Sequence, residues 1–207
     1  MSMAKRWDSL LAYLQQTAVA YRPDYFFSLY YLASQCPPHS TIVEIGCHKG
    51  DSTLCLALAA EETDSHVVTI DPVFITGQVH VKDEHRNEGH IYTSDFTHLA
   101  SRLLHWGLIH RVSVVPAYSA DVLQLWGARP IHLLIVDGEH TMKAVREDCW
   151  WLLKIPKGGR AAFDDWFAEI EQTVKDFLKK EPRWQLMHES TQGHWPNGFN
   201  LTYMEKA

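Results

Sequence analysis

The chain has 207 residues, of which 46% are hydrophobic and 21% are charged, and its formal net charge is −6. This composition predicts one globular domain over residues 1–207, and the negative charge disfavours a nucleic-acid partner because phosphate binding requires a concentrated basic surface. The four cysteines form no CxxC pair, the N-terminus lacks a signal-peptide layout, and no apolar stretch approaches the roughly 20 residues of a membrane span. We therefore expect a cytoplasmic protein without a membrane segment.

Two helical segments are predicted at the N-terminus, over Ala4–Ala20 and Pro23–Gln35, before the breaker Pro37-Pro38. The second segment is rich in tyrosine and phenylalanine. We interpret residues 1–38 as a helical cap that packs on the core. A lid over a pocket and a homodimer surface are the alternative interpretations of this aromatic segment.

From Thr41 onward, short β-branched runs alternate with helical periods, as is typical of an α/β fold with a doubly wound, mostly parallel sheet. We predict seven strands, the last two of which form an antiparallel C-terminal edge hairpin. The predicted strands are Thr41–Ile45, Val67–Ile70, Val112–Val115, Ile131–Val136, Ala161–Phe163, Trp184–His188 and Phe199–Met204. Helices are predicted over Thr53–Ala60 and His140–Lys154, and Asp148 on the latter is expected to be solvated or bonded to its helix.

A polar stretch over residues 72–92 shows no convincing period and is longer than an ordinary connection in such a fold. We predict an active-site loop here. The stretch contains His80, His85 and His90, but their spacing does not fit common zinc sites and no cysteine joins them.

Two acidic clusters each follow a predicted buried strand. Asp137-Gly138-Glu139-His140 follows the strand that ends at Val136, and Asp164-Asp165 follows the strand that ends at Phe163. Because the carboxyl ends of parallel strands meet at one edge of a sheet, these carboxylates should converge in a ligand-binding crevice. Their mutual repulsion favours a divalent metal ion among them. The alternative for Asp164-Asp165 is an N-cap pair for a helix that begins at Trp166.

A glycine-containing turn follows the first predicted strand and leads into a helix. Gly46 would allow a tight turn against a ligand, and Gly50 would let the helix begin close to it. His48 stands where the dinucleotide fingerprint has its middle glycine, so NAD or FAD fits poorly. Glu44 could receive an ammonium group or an amide from the turn, and Asp71 ends the next strand, where a ribose diol is held. This arrangement suits a nucleoside that carries an amino acid.

The motifs E-x-G-x-x-x-G-x-S/T, I-D-P, D-G-x-H and P-x-G-G followed by D-D occur in this order between Ile42 and Trp166. This ordered set resembles the class I S-adenosylmethionine-dependent methyltransferases. More narrowly, it is similar to the metal-dependent O-methyltransferases akin to macrocin O-methyltransferase, with cephalosporin-hydroxylase-like proteins as relatives. The resemblance implies a Rossmann-like fold and S-adenosyl-L-methionine as the cofactor.

The resemblance also implies roles for individual residues. Ser52 would lie beside the methionine carboxylate and Tyr118 and Ser119 beside the adenine, although an N-cap role for Ser52 and core packing for Tyr118 are the structural alternatives. The implied cofactor-binding residues are Glu44, Gly46, Gly50, Ser52, Asp71, Tyr118, Ser119 and Asp137. The implied ligands of Mg²⁺, or of Mn²⁺ or Ca²⁺, are Asp137, Asp164 and Asp165.

The implied reaction is Mg²⁺-assisted O-methylation of a small hydroxylated acceptor, such as a sugar or phenolic natural product. Asp137 would act in catalysis through the metal, Glu139 is the favoured general base, and His140 is the competing one. The structural alternative to a catalytic role for His140 is a histidine at the start of a helix whose ring bonds to backbone groups. Two other functions remain open, namely a nicotinamide-dependent oxidoreductase and a non-catalytic cofactor-binding protein.

Overall fold

The computed structural model describes residues 3–72, 79–83, 88–92, 96–166, 168–181, 183–188 and 202–207. The helices are α1 (Met3–Thr17), α2 (Pro23–Ser34), α3 (Asp51–Glu62), α4 (Phe96–His105), α5 (Ser119–Leu125), α6 (Met142–Asp148) and α7 (Ala168–Leu178). The strands are β1 (Thr41–Ile45), β2 (His66–Ile70), β3 (Val79–Asp83), β4 (Glu88–Tyr92), β5 (Val112–Val115), β6 (Leu133–Val136), β7 (Arg160–Phe163), β8 (Trp184–His188) and β9 (Thr202–Lys206). Short 3-10 helices cover Ile109–Arg111 and Cys149–Lys154.

The main sheet of the described residues has seven strands in the order β5-β2-β1-β6-β7-β9-β8. The first five are parallel, and β9 runs antiparallel to both β7 and β8. The prediction of a doubly wound, mostly parallel sheet with an antiparallel C-terminal edge is therefore confirmed. The carboxyl ends of β1, β2, β6 and β7 lie side by side, which places the residues that follow them at one edge.

Helices cover both faces of this sheet. The side chains of Ile42 and Val67 pack in a core cluster with α1, α2, α3 and α4, whereas those of Val43 and Val68 pack in a second cluster with α6, the 3-10 segment and α7. Strands buried on both faces carry continuous apolar runs, which explains why the sequence shows such runs rather than alternation.

The predicted bounds differ from the observed ones at several ends. α1 ends at Thr17, α3 begins at Asp51, β6 begins at Leu133 and β9 ends at Lys206, while Phe199 lies outside the described residues. The helix predicted over His140–Lys154 is an α-helix only to Asp148 and continues as a 3-10 helix. Residues three positions apart lie on the same face in both an α-helix and a 3-10 helix. The spacing of the buried side chains therefore does not distinguish the two helix types.

The prediction of an irregular loop over residues 72–92 is wrong for two of its parts. β3 and β4 form an antiparallel pair in which His80 lies opposite Ile91 and Val81 lies opposite His90. His85 lies outside the described residues. Sequence patterns detect strands through the burial of alternate side chains, and this polar stretch carries no such pattern. The role of the segment at an active site stays a prediction.

The N-terminal helices join the core. α2 begins at Pro23, a residue favoured at the first helical position, and buries Phe26 and Leu29 against α3. Phe27 and Tyr31 remain 52% and 51% exposed on the opposite side of α2. The homodimer that the aromatic residues suggest stays a prediction.

In the described parts of the chain, no helix has both the length and the apolar character needed to cross a membrane. The four cysteines are buried free thiols.

The turn after β1 and the turn after β6 approach each other closely. Gly46 has a left-handed φ of +83°, and a Cβ atom added to it would lie 2.2 Å from the carbonyl oxygen of Asp137. No side chain can occupy this space unless one of the two turns moves. The absence of a side chain at residue 46 therefore sets how the two turns fit together.

We predict that Gly46→Ala lowers the free energy of unfolding by at least about 3 kcal/mol, because backbone strain and a steric overlap add. Gly127→Ala is the matched control, since Gly127 also has a left-handed φ, of +72°, and a Cβ there would meet nothing within 4 Å. The control should lose only about 1–2 kcal/mol from strain. Urea unfolding followed by circular dichroism measures both, and equal losses would show that the overlap is relieved without cost.

Candidate active site

A cavity of about 340 Å³ lies beyond the carboxyl ends of β1, β2 and β6. Open α/β sheets bind their ligands at this edge. Its wall includes the turn after β1, Asp71 after β2, Tyr118 and Ser119 after β5, residues 137–140 after β6, and part of the α1–α2 linker. The cavity therefore brings most of the residues predicted from sequence to one place.

Asp71 holds the turn after β1. Its Oδ2 atom accepts hydrogen bonds from the backbone amides of Cys47, at 3.0 Å, and His48, at 2.9 Å. His48 has a left-handed φ of 47°, which is uncommon for a residue with a side chain. Asp71 thus fixes the shape of the turn in addition to lining the cavity. The sequence predicted a contact between Asp71 and a ribose, which stays a prediction, but it did not predict this support of the turn.

Arg102 supports the same turn from the other side. This side chain on α4 is 3% exposed, and it donates to the carbonyl oxygen of Lys49 at 2.7 Å and to Asp51 Oδ1 at 2.6 Å. Arg102 is not among the residues predicted from the sequence. A signal was present, because Arg102 lies on the apolar face of α4 between Leu99 and Leu103.

Glu44 lies behind the turn instead of in the cavity wall. It is fully buried, and its Oε2 atom accepts a hydrogen bond of 2.6 Å from the hydroxyl of Thr53. Burial raises the pKa of the Glu44 carboxyl, and hydrogen bonds from neighbouring hydroxyl groups, including that of Ser52, act to lower it. Glu44 would therefore influence a bound cofactor only indirectly, through its hydrogen bond to Thr53 of α3.

The start of α3 excludes the N-cap interpretation of Ser52, and its contact with the methionine part of a cofactor stays a prediction. Gly50 is the N-cap residue, with a left-handed φ of 83°, and α3 begins at Asp51. Ser52 is therefore not the N-cap, and it is one of the residues that border the cavity. A Cβ atom added to Gly50 would lie 2.3 Å from the side chain of Leu99, so Gly50 also allows α4 to pack against the turn.

Tyr118 and Ser119, the predicted adenine contacts, follow β5 and both line the cavity, and their contact with adenine stays a prediction. Tyr118 lines the cavity and is 54% exposed, so its interpretation as a core residue is wrong. The hydroxyl of Ser119 donates to Asp148 Oδ1 at 2.5 Å. Asp148 lines the cavity and is buried, which contradicts the expectation of a solvated or helix-bonded acid. Burial raises the pKa of the Asp148 carboxyl to about 7.

The acids after β6 and β7 have a cation and a phenol from the N-terminal segment among them. Arg22 Nη1 lies 3.0 Å from Asp164 Oδ2, and its guanidinium group stacks 3.9 Å above the ring of Tyr25. The Tyr25 hydroxyl donates to Asp137 Oδ2 at 2.8 Å. Burial and the nearby charge of Asp164 raise the pKa of the Asp137 carboxyl. No local sequence pattern connected Arg22 and Tyr25 with these acids.

The structure does not support the N-cap interpretation of Asp164-Asp165 or the interpretation of His140 as a histidine bonded to backbone. α7 begins at Ala168, so Asp164 and Asp165 are too far from its start to be an N-cap pair. His140 lies before α6, and its Nε2 atom is 3.5 Å from Asp165 Oδ2 and 4.0 Å from Asp137 Oδ1. The His140 ring therefore faces acids rather than backbone groups. Glu139 is exposed at the cavity wall.

In the described ranges, no group of three or more His, Cys, Asp or Glu side chains is arranged to hold a metal ion. One oxygen atom of Asp137 and one of Asp164 bond to Tyr25 and Arg22. The Oδ1 atom of Asp164 is buried and has no hydrogen-bond partner among the described residues. The three-acid metal site stays a prediction, and this unsatisfied oxygen is the feature that a cation would complete.

The buried Asp148 predicts a pH-dependent difference between the wild-type protein and Asp148→Asn. The carboxyl has a pKa of about 7 when folded, compared with 3.8 for an ordinary aspartate, so the folded state holds its proton more tightly. As the pH rises from about 4 to 7, the wild type should lose up to about 4 kcal/mol of stability that Asp148→Asn does not lose. Urea unfolding across this range measures the difference, and parallel stability curves for the two proteins would contradict it.

Both the sequence and the fold of the chain match known proteins. Residues 43–166 match the model of a family described as a methyltransferase domain. No match was found among curated proteins. The solved structure of the O-methyltransferase NovP shares a TM-score of 0.77 and 13% identity, with 100% of each chain covered.

Two further structures have the same fold. The O-methyltransferase TomG from Streptomyces achromogenes, in complex with SAM, has a TM-score of 0.65 and 16% identity over 98% of this chain and 89% of its own. An rRNA methylase from Streptococcus thermophilus has a TM-score of 0.60 and 17% identity over 87% and 94%. These likenesses confirm the Rossmann-like class I fold. Because the family model matches more than half of the chain, the protein belongs to the methyltransferase domain family.

Proposed function

We propose that the protein is an S-adenosylmethionine-dependent O-methyltransferase that acts on a small hydroxylated molecule. The observation that carries the proposal is one cavity that connects the turn after β1 with the acids after β6. A cofactor bound along this edge would extend from the turn to the acids. The family match and the O-methyltransferase structures with the same fold support this assignment.

The cavity wall offers suitable groups for each part of the cofactor. Gly46 and Ser52 border the place for the methionine part, with Glu44 and Gly50 supporting them from behind. Asp71 borders the place for the ribose, and a carboxylate has enough lone pairs to accept from a diol as well as from two amides. Tyr118 and Ser119 border the place for the adenine, since they follow the next strand of the sheet, β5.

The acids suit the positive end of the cofactor and the acceptor. Asp137 borders the cavity at the carboxyl end of β6, where its charge would attract a sulfonium group. In methyl transfer, the acceptor oxygen forms a bond to the methyl carbon while the bond from that carbon to sulfur breaks in line. The acceptor hydroxyl must lose its proton, and Glu139 is the proposed base because its carboxylate is exposed at the cavity wall. His140 is the competing base.

The acids also fit a hard divalent cation. Asp137, Asp164 and Asp165 provide oxygen donors of the kind that Mg²⁺, Mn²⁺ and Ca²⁺ prefer, and the unsatisfied Oδ1 of Asp164 is a group that such an ion would complete. When bound, the ion would lower the pKa of an acceptor hydroxyl. Arg22 lies against the same acid, so it neutralises part of the charge that these side chains bring together.

A small acceptor is proposed on two grounds. The net charge of −6 would repel a polyanion, and the cavity wall carries several acids. A sugar or phenolic natural product has the required neighbouring hydroxyl groups. The match to a methyltransferase family leaves the nicotinamide-dependent alternative without support, whereas a non-catalytic cofactor-binding protein requires an experimental test.

We predict that S-adenosylhomocysteine binds the protein with a micromolar Kd and that NAD⁺ does not bind. The wall formed by the turn, Asp71 and Tyr118 suits a nucleoside that carries an amino acid. Isothermal titration calorimetry measures both, with Mg²⁺ present and again with EDTA. An unchanged Kd in EDTA would place the metal with the acceptor only. No heat from S-adenosylhomocysteine under either condition would contradict the proposed function.

We predict that Asp164→Asn weakens Mn²⁺ binding at least about 10-fold and methyl transfer at least about 100-fold, because one of three anionic donors is lost. S-adenosylhomocysteine affinity should change little. Mn²⁺ binding is measured by electron paramagnetic resonance, and transfer by counting a labelled methyl group on a panel of catechols and sugar diols.

Asp176→Asn is the matched control, because Asp176 is an aspartate on the exposed face of α7. Its Mn²⁺ affinity and transfer rate should equal those of the wild type. Unchanged Mn²⁺ binding in Asp164→Asn would exclude Asp164 as a ligand. Cofactor binding without transfer to any acceptor in the wild type would favour the non-catalytic alternative.

A further inference from the structure

The turn after β1 is held by two separate charged groups, and only one of them has a place in the proposed function. Asp71 accepts from the amides of Cys47 and His48, in the first half of the turn. Arg102 holds the second half, which leads into α3. Arg102 is not part of the cavity wall that the described residues form, so it would influence a bound cofactor only through the turn.

Arg102 bonds to the residues on both sides of a glycine. Its Nη1 atom donates to the carbonyl oxygen of Lys49 at 2.7 Å, and its Nη2 atom donates to Asp51 Oδ1 at 2.6 Å. Gly50 lies between them with a left-handed φ of +83°. Glycine loses more conformational freedom on folding than any other residue. The planar fork of the guanidinium group therefore restrains the turn at a position where the backbone is otherwise very free to move.

The charge of Asp51 gives this contact a second consequence. Asp51 is the first residue of α3, and it borders the cavity together with the next residue, Ser52, where the methionine part is proposed to lie. The side chains of Arg102 and Asp51 are only 4% and 16% exposed, so water and salt screen their interaction little. Arg102 thus neutralises Asp51. An unpaired Asp51 would repel the carboxylate of the methionine part.

We propose that Arg102 is a positioning residue for the amino-acid end of the cofactor. It fixes the second half of the turn and neutralises Asp51, so that the methionine part adds to the affinity. This inference rests on the proposed function. Asp71 holds the first half of the turn separately, and Tyr118 and Ser119 follow another strand. The proposed places for the ribose and the adenine therefore do not depend on Arg102.

The test compares S-adenosylhomocysteine with 5′-methylthioadenosine, which keeps the adenine, the ribose and the sulfur atom but lacks the amino and carboxyl groups. Arg102→Gln should bind S-adenosylhomocysteine at least about 10-fold more weakly than the wild type does, as expected for lost hydrogen bonds from a charged group. Its affinity for methylthioadenosine should change less than about 3-fold, because the remaining contacts are independent. Calorimetry measures the first affinity, and competition with S-adenosylhomocysteine measures the second.

Arg111→Gln is the matched control. Arg111 also pairs with an acid of α3, since its Nε atom lies 2.8 Å from Glu61 Oε2, but Glu61 is at the other end of the helix. This variant should bind both compounds as the wild type does. Arg102→Lys keeps the charge but provides one nitrogen atom in place of two, so it should recover only part of the affinity for S-adenosylhomocysteine.

The selectivity of the loss decides the inference. Equal losses for the two compounds in Arg102→Gln would show a general disturbance of the fold and overturn it, as would the absence of any loss. A comparable loss in Arg111→Gln would also overturn it. If Arg102→Gln does not fold, a selective loss in Arg102→Lys supports the inference, and an equal or absent loss overturns it.

Two outcomes for the wild type separate this inference from the proposed function. Equal affinities for the two compounds would show that the methionine part contributes nothing, which would overturn the inference and leave the function standing. Failure to bind either compound would overturn both.

Discussion

The candidate site depends on one carboxylate oxygen, Oδ2 of Asp71, which accepts from two consecutive backbone amides of the turn after β1. Buried amides require acceptors, and a charged acceptor is roughly twice as strong as a neutral one. This contact joins the ends of β1 and β2 and fixes the left-handed residue His48 between Gly46 and Gly50. Arg102 secures the next carbonyl. A rigid turn of this kind keeps its residues 46–49 in place at the cavity wall.

The same topology that forms the crevice also creates its main electrostatic cost. Parallel strands end at a common edge, so Asp137 and Asp164, which follow the neighbouring strands β6 and β7, must lie close together. The groups that compensate for this repulsion come from residues that are distant in the sequence. Arg22 is 142 positions from Asp164, and Tyr25 is 112 positions from Asp137. The N-terminal segment therefore belongs to the electrostatics of the site as well as to the core.

These contacts also show why the sequence predicts the fold better than the site. Buried parallel strands are continuous apolar runs, and Thr41–Ile45 and Val112–Val115 have the bounds that the pattern indicates. β3 and β4 were not predicted, because their polar sequence has no continuous apolar run of this kind. Motif residues follow directly from strand ends. Arg22, Tyr25 and the Ser119–Asp148 pair act through contacts between distant segments, which no local pattern contains.

The acids that follow the strands of the sheet, and Asp148 on α6, differ in how far the protein satisfies their hydrogen-bonding capacity. Asp71 receives two backbone amides on one oxygen and serves the turn that surrounds it. Asp164 bonds to Arg22 through Oδ2 but leaves Oδ1 buried and unsatisfied among the described residues. Asp148 is fixed by Ser119 through one oxygen only. Leaving such groups incomplete destabilises the empty protein, so a stable fold retains them where a ligand supplies the missing partner. Among these acids, Asp164 is therefore the one at which a bound cation would complete the most costly vacancy, whereas Asp71 holds the turn at the cavity wall.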